Sequence, residues 1–192
     1  VRMLIESEGL KRPVLIGHSM GGKTAMALAL DRPEVVGRLI VVDIAPVPYA
    51  DRFTPFLDAM CGIDTPSLSQ RAEVMRQMAE KIPDPAVVGF LMQNLVARDD
   101  HFDWRLNLAA IGAEVSSLGG FPPELLLRSY RGPATLIHGA LSDYVKADDL
   151  ANLAEPFPQL RAVEIAAAGH WVHADRPAEF IAALGLLLAT AA

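Results

Sequence analysis

The chain has 192 residues, 52% of them hydrophobic and 21% charged, with 17 Lys and Arg against 23 Asp and Glu for a formal net charge of −6. That balance describes an ordinary globular chain, long enough for one domain or one domain with an insertion, and excludes a disordered or fibrous one. A negative chain without any run of Lys or Arg longer than two argues against nucleic acid or an anionic membrane as partner and leaves a small molecule.

In chain order, residues 1–10 read as the last turns of an amphipathic helix stopped by Gly9. They carry no signal-peptide pattern, and no apolar stretch of about eighteen residues occurs, so no membrane insertion is expected and the cytoplasm is the expected location. A buried strand over residues 13–17 runs into Gly17-His18-Ser19-Met20-Gly21-Gly22, and the helix-forming stretch Lys23 to Leu30 follows at once. This is the pattern of a nucleophile elbow. The turn forces Ser19, at its apex, into a strained backbone conformation that small neighbours such as Gly17 and Gly21 allow. It lifts the hydroxyl clear of the sheet and sets the backbone N–H of Met20 at a helix N-terminus, where it can donate to an oxyanion.

Residues Gly37 to Asp43 form a β-branched run typical of a strand buried on both faces. Ile44-Ala45-Pro46-Val47-Pro48 breaks the pattern, and residues 50–128 show helical periodicity without another buried strand, with helical pieces expected over 69–81, 85–96 and 102–111. The single cysteine, Cys61, lies in this segment; it leaves no internal disulfide and no metal-ligand spacing, and reads as a buried small residue. The parallel pattern resumes with a strand over 134–139, a helix over 146–155, a last strand over 161–165 and a closing helix over 177–188. Four buried strands alternating with helices make an α/β chain with a mostly parallel sheet: a core over 1–49 and 129–192, with a helical cap inserted over 50–128.

A serine hydroxyl is a poor nucleophile at neutral pH and needs a base, which in turn needs an orienting acid. Of the five histidines, strand alternation directs His18 away from the apex, His138 sits within a strand, and His101 lies within the cap. His170 stands on a Gly-containing loop just beyond the last strand, from which it can reach back to Ser19; His173 is the alternative.

The order Ser…Asp…His, the elbow Gly17-His18-Ser19-Met20-Gly21, the cap and the closing Ala168-Gly169-His170-Trp171 resemble the α/β-hydrolase family over the whole chain. Within it the chain is most similar to small carboxylesterases with Asp-Ile-Ala-Pro after the strand that follows the elbow, here Asp43-Ile44-Ala45-Pro46. Asn94-Leu95, Trp104-Arg105, Ser142 with Tyr144-Val145, and Gly169-His170-Trp171-Val172-His173 carry the same likeness. The resemblance implies hydrolysis of short or medium acyl esters or thioesters, without cofactor or metal, through Ser19, His170 and the Met20 N–H. It leaves the acid open. The wider family takes it from the loop after the strand ending at Gly139, which nominates Asp143; the esterase subgroup offers Asp43, which is preferred, with Ser142 as a hydrogen-bond partner of the histidine or the acid. Apolar cap residues such as Phe53, Met60, Met75, Met78, Phe90 and Met92 are candidates to line an acyl pocket.

The family places several strands before the elbow and draws a second oxyanion donor from the loop after one of them; nothing before Val14 matches that segment. The expectation is a truncated core whose 13–17 strand is an exposed edge that recruits a partner, in a homodimer or by exchange of elements. A C–C bond hydrolase, a peroxidase, an aminopeptidase, or a non-catalytic binding module remain as alternatives to the esterase.

Overall fold

The structure is a computed structural model that describes residues 1–189. The last three residues of the expected core segment 129–192 lie outside them. The elements, in chain order, are α1 (Arg2–Ser7), β1 (Val14–His18), α2 (Met20–Asp31), β2 (Arg38–Val42), α3 (Thr54–Cys61), α4 (Arg71–Lys81), α5 (Pro85–Met92), β3 (Leu95–Ala97), β4 (Phe102–Trp104), α6 (Leu108–Leu118), β5 (Ala134–Gly139), α7 (Ala147–Asn152), β6 (Leu160–Ile165), α8 (Val172–Asp175) and α9 (Pro177–Ala189). They form two compact units, one from residues 1–48 and 120 onward, the other from residues 49–119.

The first unit is built on a parallel sheet in the order β1-β2-β5-β6. Its two central strands are covered on both faces: Leu39, Ile40, Val41 and Val42 of β2 and every residue of β5 are buried. On one face Ile40, Val42 and Ile137 pack with Ile165, Ala168 and Val172, and Phe180 and Leu184 of α9 close over them. By alternation Leu39 and Val41 face the other way, toward α2, where a Cβ on Gly22 would meet Val41 Cγ1 at 3.1 Å and Ile44 Cγ2 at 2.6 Å. Only two of the four strands are buried, contrary to the sequence-based expectation. As sheet edges, β1 leaves Ile16 exposed and β6 leaves Arg161, Ala162 and Glu164 exposed, because an edge strand lacks a neighbour whose helix would cover it. The parallel pairing puts the carboxyl ends of all four strands on one side, so that the loops after β1, β2, β5 and β6 open there together.

The second unit has its own core, in which Met60, Val74, Met78, Met92 and Leu95 surround Trp104, whose indole N–H donates to Met60 O at 3.1 Å. Met60, Met78 and Met92 are therefore packing residues of this unit, not free lining, whereas Phe53, Met75 and Phe90 are exposed. The expected helices over 85–96 and 102–111 are shorter or displaced. Leu95–Ala97 and Phe102–Trp104 instead pair as an antiparallel hairpin, and α6 starts where Asn107 caps it, its Oδ1 accepting the Ala110 N–H at 3.0 Å. Cys61 is exposed at the end of α3 rather than buried. The unit also ends nine residues earlier than the expected 50–128 insertion. Residues 120–128 stay with the sheet unit, where their 3₁₀ turn at Pro123–Leu127 packs on α2 and Arg128 pairs with Asp31 at 2.6 Å.

Candidate active site

β1 ends at His18, and the chain turns through Ser19 at φ 53° and ψ −124° before Met20 opens α2. A non-glycine residue in that region costs about 1–3 kcal/mol and persists only where its surroundings hold it. Here Ser19 N–H donates to Val42 O at 3.0 Å, and Ser19 O accepts from the N–H groups of Gly22 and Lys23. Gly17 makes the turn feasible, since a Cβ there would lie 2.2 Å from Gly21 O. Gly21 itself faces open space; the crowded position is Gly22, one residue further on. The first residue of a helix has no acceptor within the helix, so the N–H of Met20, which follows Ser19 and opens α2, is not used by the helix itself.

Asp43 follows β2 with φ 52° and is fully buried. Its Oδ1 accepts the Gly139 N–H at 2.9 Å, and its Oδ2 accepts the Ser142 hydroxyl and the Nδ1–H of His170, the latter at 2.7 Å. The other ring nitrogen of His170, Nε2, lies 3.0 Å from Ser19 Oγ. A carboxylate can only accept, so Nδ1 carries the proton and Nε2 is left to accept one from the serine. A hydroxyl, an imidazole and a buried carboxylate in this order can pass the hydroxyl's proton to the imidazole while the carboxylate holds the ring and offsets its new charge.

The loop that presents His170 is tied down from three sides. Leu141 N–H donates to Ala168 O at 2.9 Å, Asp175 accepts the Gly169 N–H at 2.8 Å, and His18 Nε2–H donates to His170 O at 2.8 Å. His18 is thus not remote from the site as strand alternation suggests. It shares the face of β1 on which Val14 packs toward Ala168 and Val172, and there its ring lies 4.7 Å from that of His170, with His173 5.0 Å from it. Burial pushes the His18 proton affinity below the ordinary histidine value, with the neighbouring His170 and His173 acting in the same direction and the carbonyl hydrogen bond against it.

Ser19, His170 and Asp43 are brought together; Asp143 is exposed and it is Asp43 that lies at His170 Nδ1. From the β5 loop the side chain that reaches the acid is that of Ser142. His138 is buried within β5, and His101 belongs to the second unit. Two features went unread in the sequence: Tyr144, whose ring stacks on His170 at 3.7 Å, and Lys23, buried with its ammonium on backbone carbonyls. Tyr144 stood in the quoted Ser142…Tyr144-Val145 likeness, but nothing in the string tells which side chain its ring covers. Among the described residues no cluster of His, Cys, Asp and Glu is arranged to hold a metal, and no helix is long and apolar enough to cross a membrane.

The sequence profile of the alpha/beta hydrolase family matches residues 2–183. The chain is 36% identical to the sn-1-specific diacylglycerol lipase ABHD11 of Mus musculus, over 97% of this chain and 62% of that protein, and 32% identical to esterase YbfF of Escherichia coli K12, over 90% and 66%. It thus spans roughly two thirds of the length of these relatives or somewhat less. Among solved structures, a marine microorganism esterase superposes with a TM-score of 0.90 at 31% identity, over 95% of this chain and 72% of that one.

Proposed function

Because the chain belongs to the alpha/beta hydrolase family, we propose that it hydrolyses carboxylic ester or thioester bonds of small acyl substrates through an acyl-enzyme intermediate. The observation that carries this is the continuous line of hydrogen bonds from Ser19 Oγ through His170 to the buried Asp43. In this reading the three are a catalytic triad. Ser19 Oγ attacks the acyl carbonyl as His170 Nε2 takes its proton, and the Met20 N–H receives the developing oxyanion. The protonated His170 gives that proton to the leaving alcohol or thiol, then serves as base for the water that releases the acid. Asp43, held by Gly139 and Ser142, orients the imidazole and stabilises its charged form. The names of the relatives, a diacylglycerol lipase and two esterases, favour esters over the other chemistries open to a serine of this fold.

Mixing the 192-residue chain with a short-chain nitrophenyl ester tests the proposal. A burst of one nitrophenol per chain followed by steady turnover is expected; absence of both burst and turnover refutes it. A homodimer is proposed through the β1 edge, where Ile16 is 48% exposed and Met3 and Leu4 of α1 are exposed as well. Light scattering checks it: twice the 20.7 kDa chain mass supports the assembly, and a stable, active monomer refutes it.

A further inference from the structure

Tyr144, half-buried on the loop after β5, lays its ring on the imidazole of His170, with centroids 3.7 Å apart and planes 17° from parallel. The contact is closer and flatter than the one His18 makes with the same imidazole, at 4.7 Å and 40°. Tyr144 is fixed through its backbone. Its N–H donates to Ser142 Oγ at 3.2 Å, and that hydroxyl donates to Asp43 Oδ2. The hydrogen bonds that hold the acid therefore also set the height of the tyrosine ring over the histidine.

We infer that Tyr144 is a positioning residue for the hydrolysis: its π-face keeps the His170 imidazole in the plane that meets both Ser19 and Asp43, and stabilises the imidazolium formed when Ser19 gives up its proton. The inference rests on the reading of His170 as the base. The face of an aromatic ring carries negative potential, so it attracts a stacked ring more strongly once that ring is charged. Such a contact strengthens between ground state and transition state, and it acts on kcat more than on KM.

The surroundings leave this role to Tyr144. Asp43 meets the edge of the imidazole at Nδ1 and Ser19 meets it at Nε2. His18 covers another part of the ring, but burial disfavours its charged form, and if charged it would repel an imidazolium; His173 lies behind it. Asp175 is engaged with the Gly169 N–H, and Asp143, next to Tyr144 in the chain, is exposed.

The test compares Tyr144→Phe, Tyr144→Leu and Tyr144→Trp in the full chain, by kcat and KM for a nitrophenyl ester across pH and by NMR titration of the His170 Cε1 proton. Phe and Trp keep a π-face and should hold kcat within about twofold, with the acid limb of kcat/KM unmoved or, for Trp, moved to higher pH. Leu covers the imidazole without a π-face. It should lower kcat about 3- to 30-fold with KM nearly constant, and shift both the acid limb and the NMR titration to lower pH by roughly half a unit or more. A Leu variant whose titration stays put or moves up overturns the inference, as does a Phe variant that loses as much as Leu. Should the Leu variant not fold, Trp decides: a limb displaced to lower pH overturns the inference. Failure of the base reading shows separately, as a His170→Gln variant that retains the wild-type rate.

Discussion

Lys23 is an ionisable group buried to 7% exposure in α2, and its Nζ donates to Val47 O at 2.8 Å and to Gly120 O at 3.0 Å. Those carbonyls stand where the chain leaves the sheet unit and where it returns to it. Withdrawal from water pushes the ammonium down from 10.5 to about 8. Because the folded value lies below the unfolded one, the unfolded chain holds the proton more tightly between about pH 8 and 10.5, and stability rises with pH across that window. Below pH 8 both states carry the charge and the burial penalty is present in full; above 10.5 neither does. A fall from 10.5 to about 8, at about 1.4 kcal/mol per pH unit, is worth about 3 kcal/mol. Lys23→Met keeps most of the aliphatic stem and removes the titration. Urea unfolding of both proteins at pH 7 and pH 11 isolates the effect, because all other titrating groups are common to both. Wild type should gain about 3 kcal/mol relative to the Met variant over that interval. A difference that stays flat, or that shrinks as pH rises, would refute the reasoning that Lys23 is held charged in a desolvated site.

Asp43→Asn should lower kcat on a nitrophenyl ester about 10⁴-fold by fixing the wrong histidine tautomer, while Asp143→Asn should stay within about threefold; a reversed ranking would move the acid to Asp143. Gly17→Ala drives a Cβ to 2.2 Å from Gly21 O and should cost about 3 kcal/mol or more. Gly21→Ala meets nothing within 4 Å and should raise stability by about 0.4–1 kcal/mol. Thermal unfolding ranks the two, and equal losses would contradict the observed elbow geometry.

The elbow was legible because its demands are local: one strand, one positive-φ apex and a crowded glycine lie within a few residues. His170 was legible as a loop residue at a strand end; strand-end position alone did not separate Asp43 from Asp143, and the preference for Asp43 came from the Asp43-Ile44-Ala45-Pro46 likeness. The strand expected over 37–43 and found at 38–42, and the one at 134–139, were legible from predominantly β-branched and apolar runs covered on both faces. The hairpin of β3 and β4 was not legible. Leu95 falls in helical period with Val88 and Met92, and Trp104 with Leu108 and Ile111, and the choice falls to the Asn107 cap and to pairing across the Asp99-Asp100-His101 turn. The direction of His18 was missed because the residue that departs from alternation is Ser19, while His18 keeps the Val14 face of β1, where Ala168 and Val172 bring the His170 loop. The stacking of Tyr144 and the anchoring of Lys23 are long-range contacts made after the chain has folded, and residue type alone names no partner for either.

The account turns on covalent chemistry at Ser19, and intact-mass and peptide mass spectrometry after exposure to a fluorophosphonate measure it most directly. One adduct per chain is expected, carried on the peptide that contains Ser19, formed far more slowly in His170→Gln and absent in a folded Ser19→Ala. An unlabelled wild-type chain, or a label that persists in the alanine variant, would contradict it.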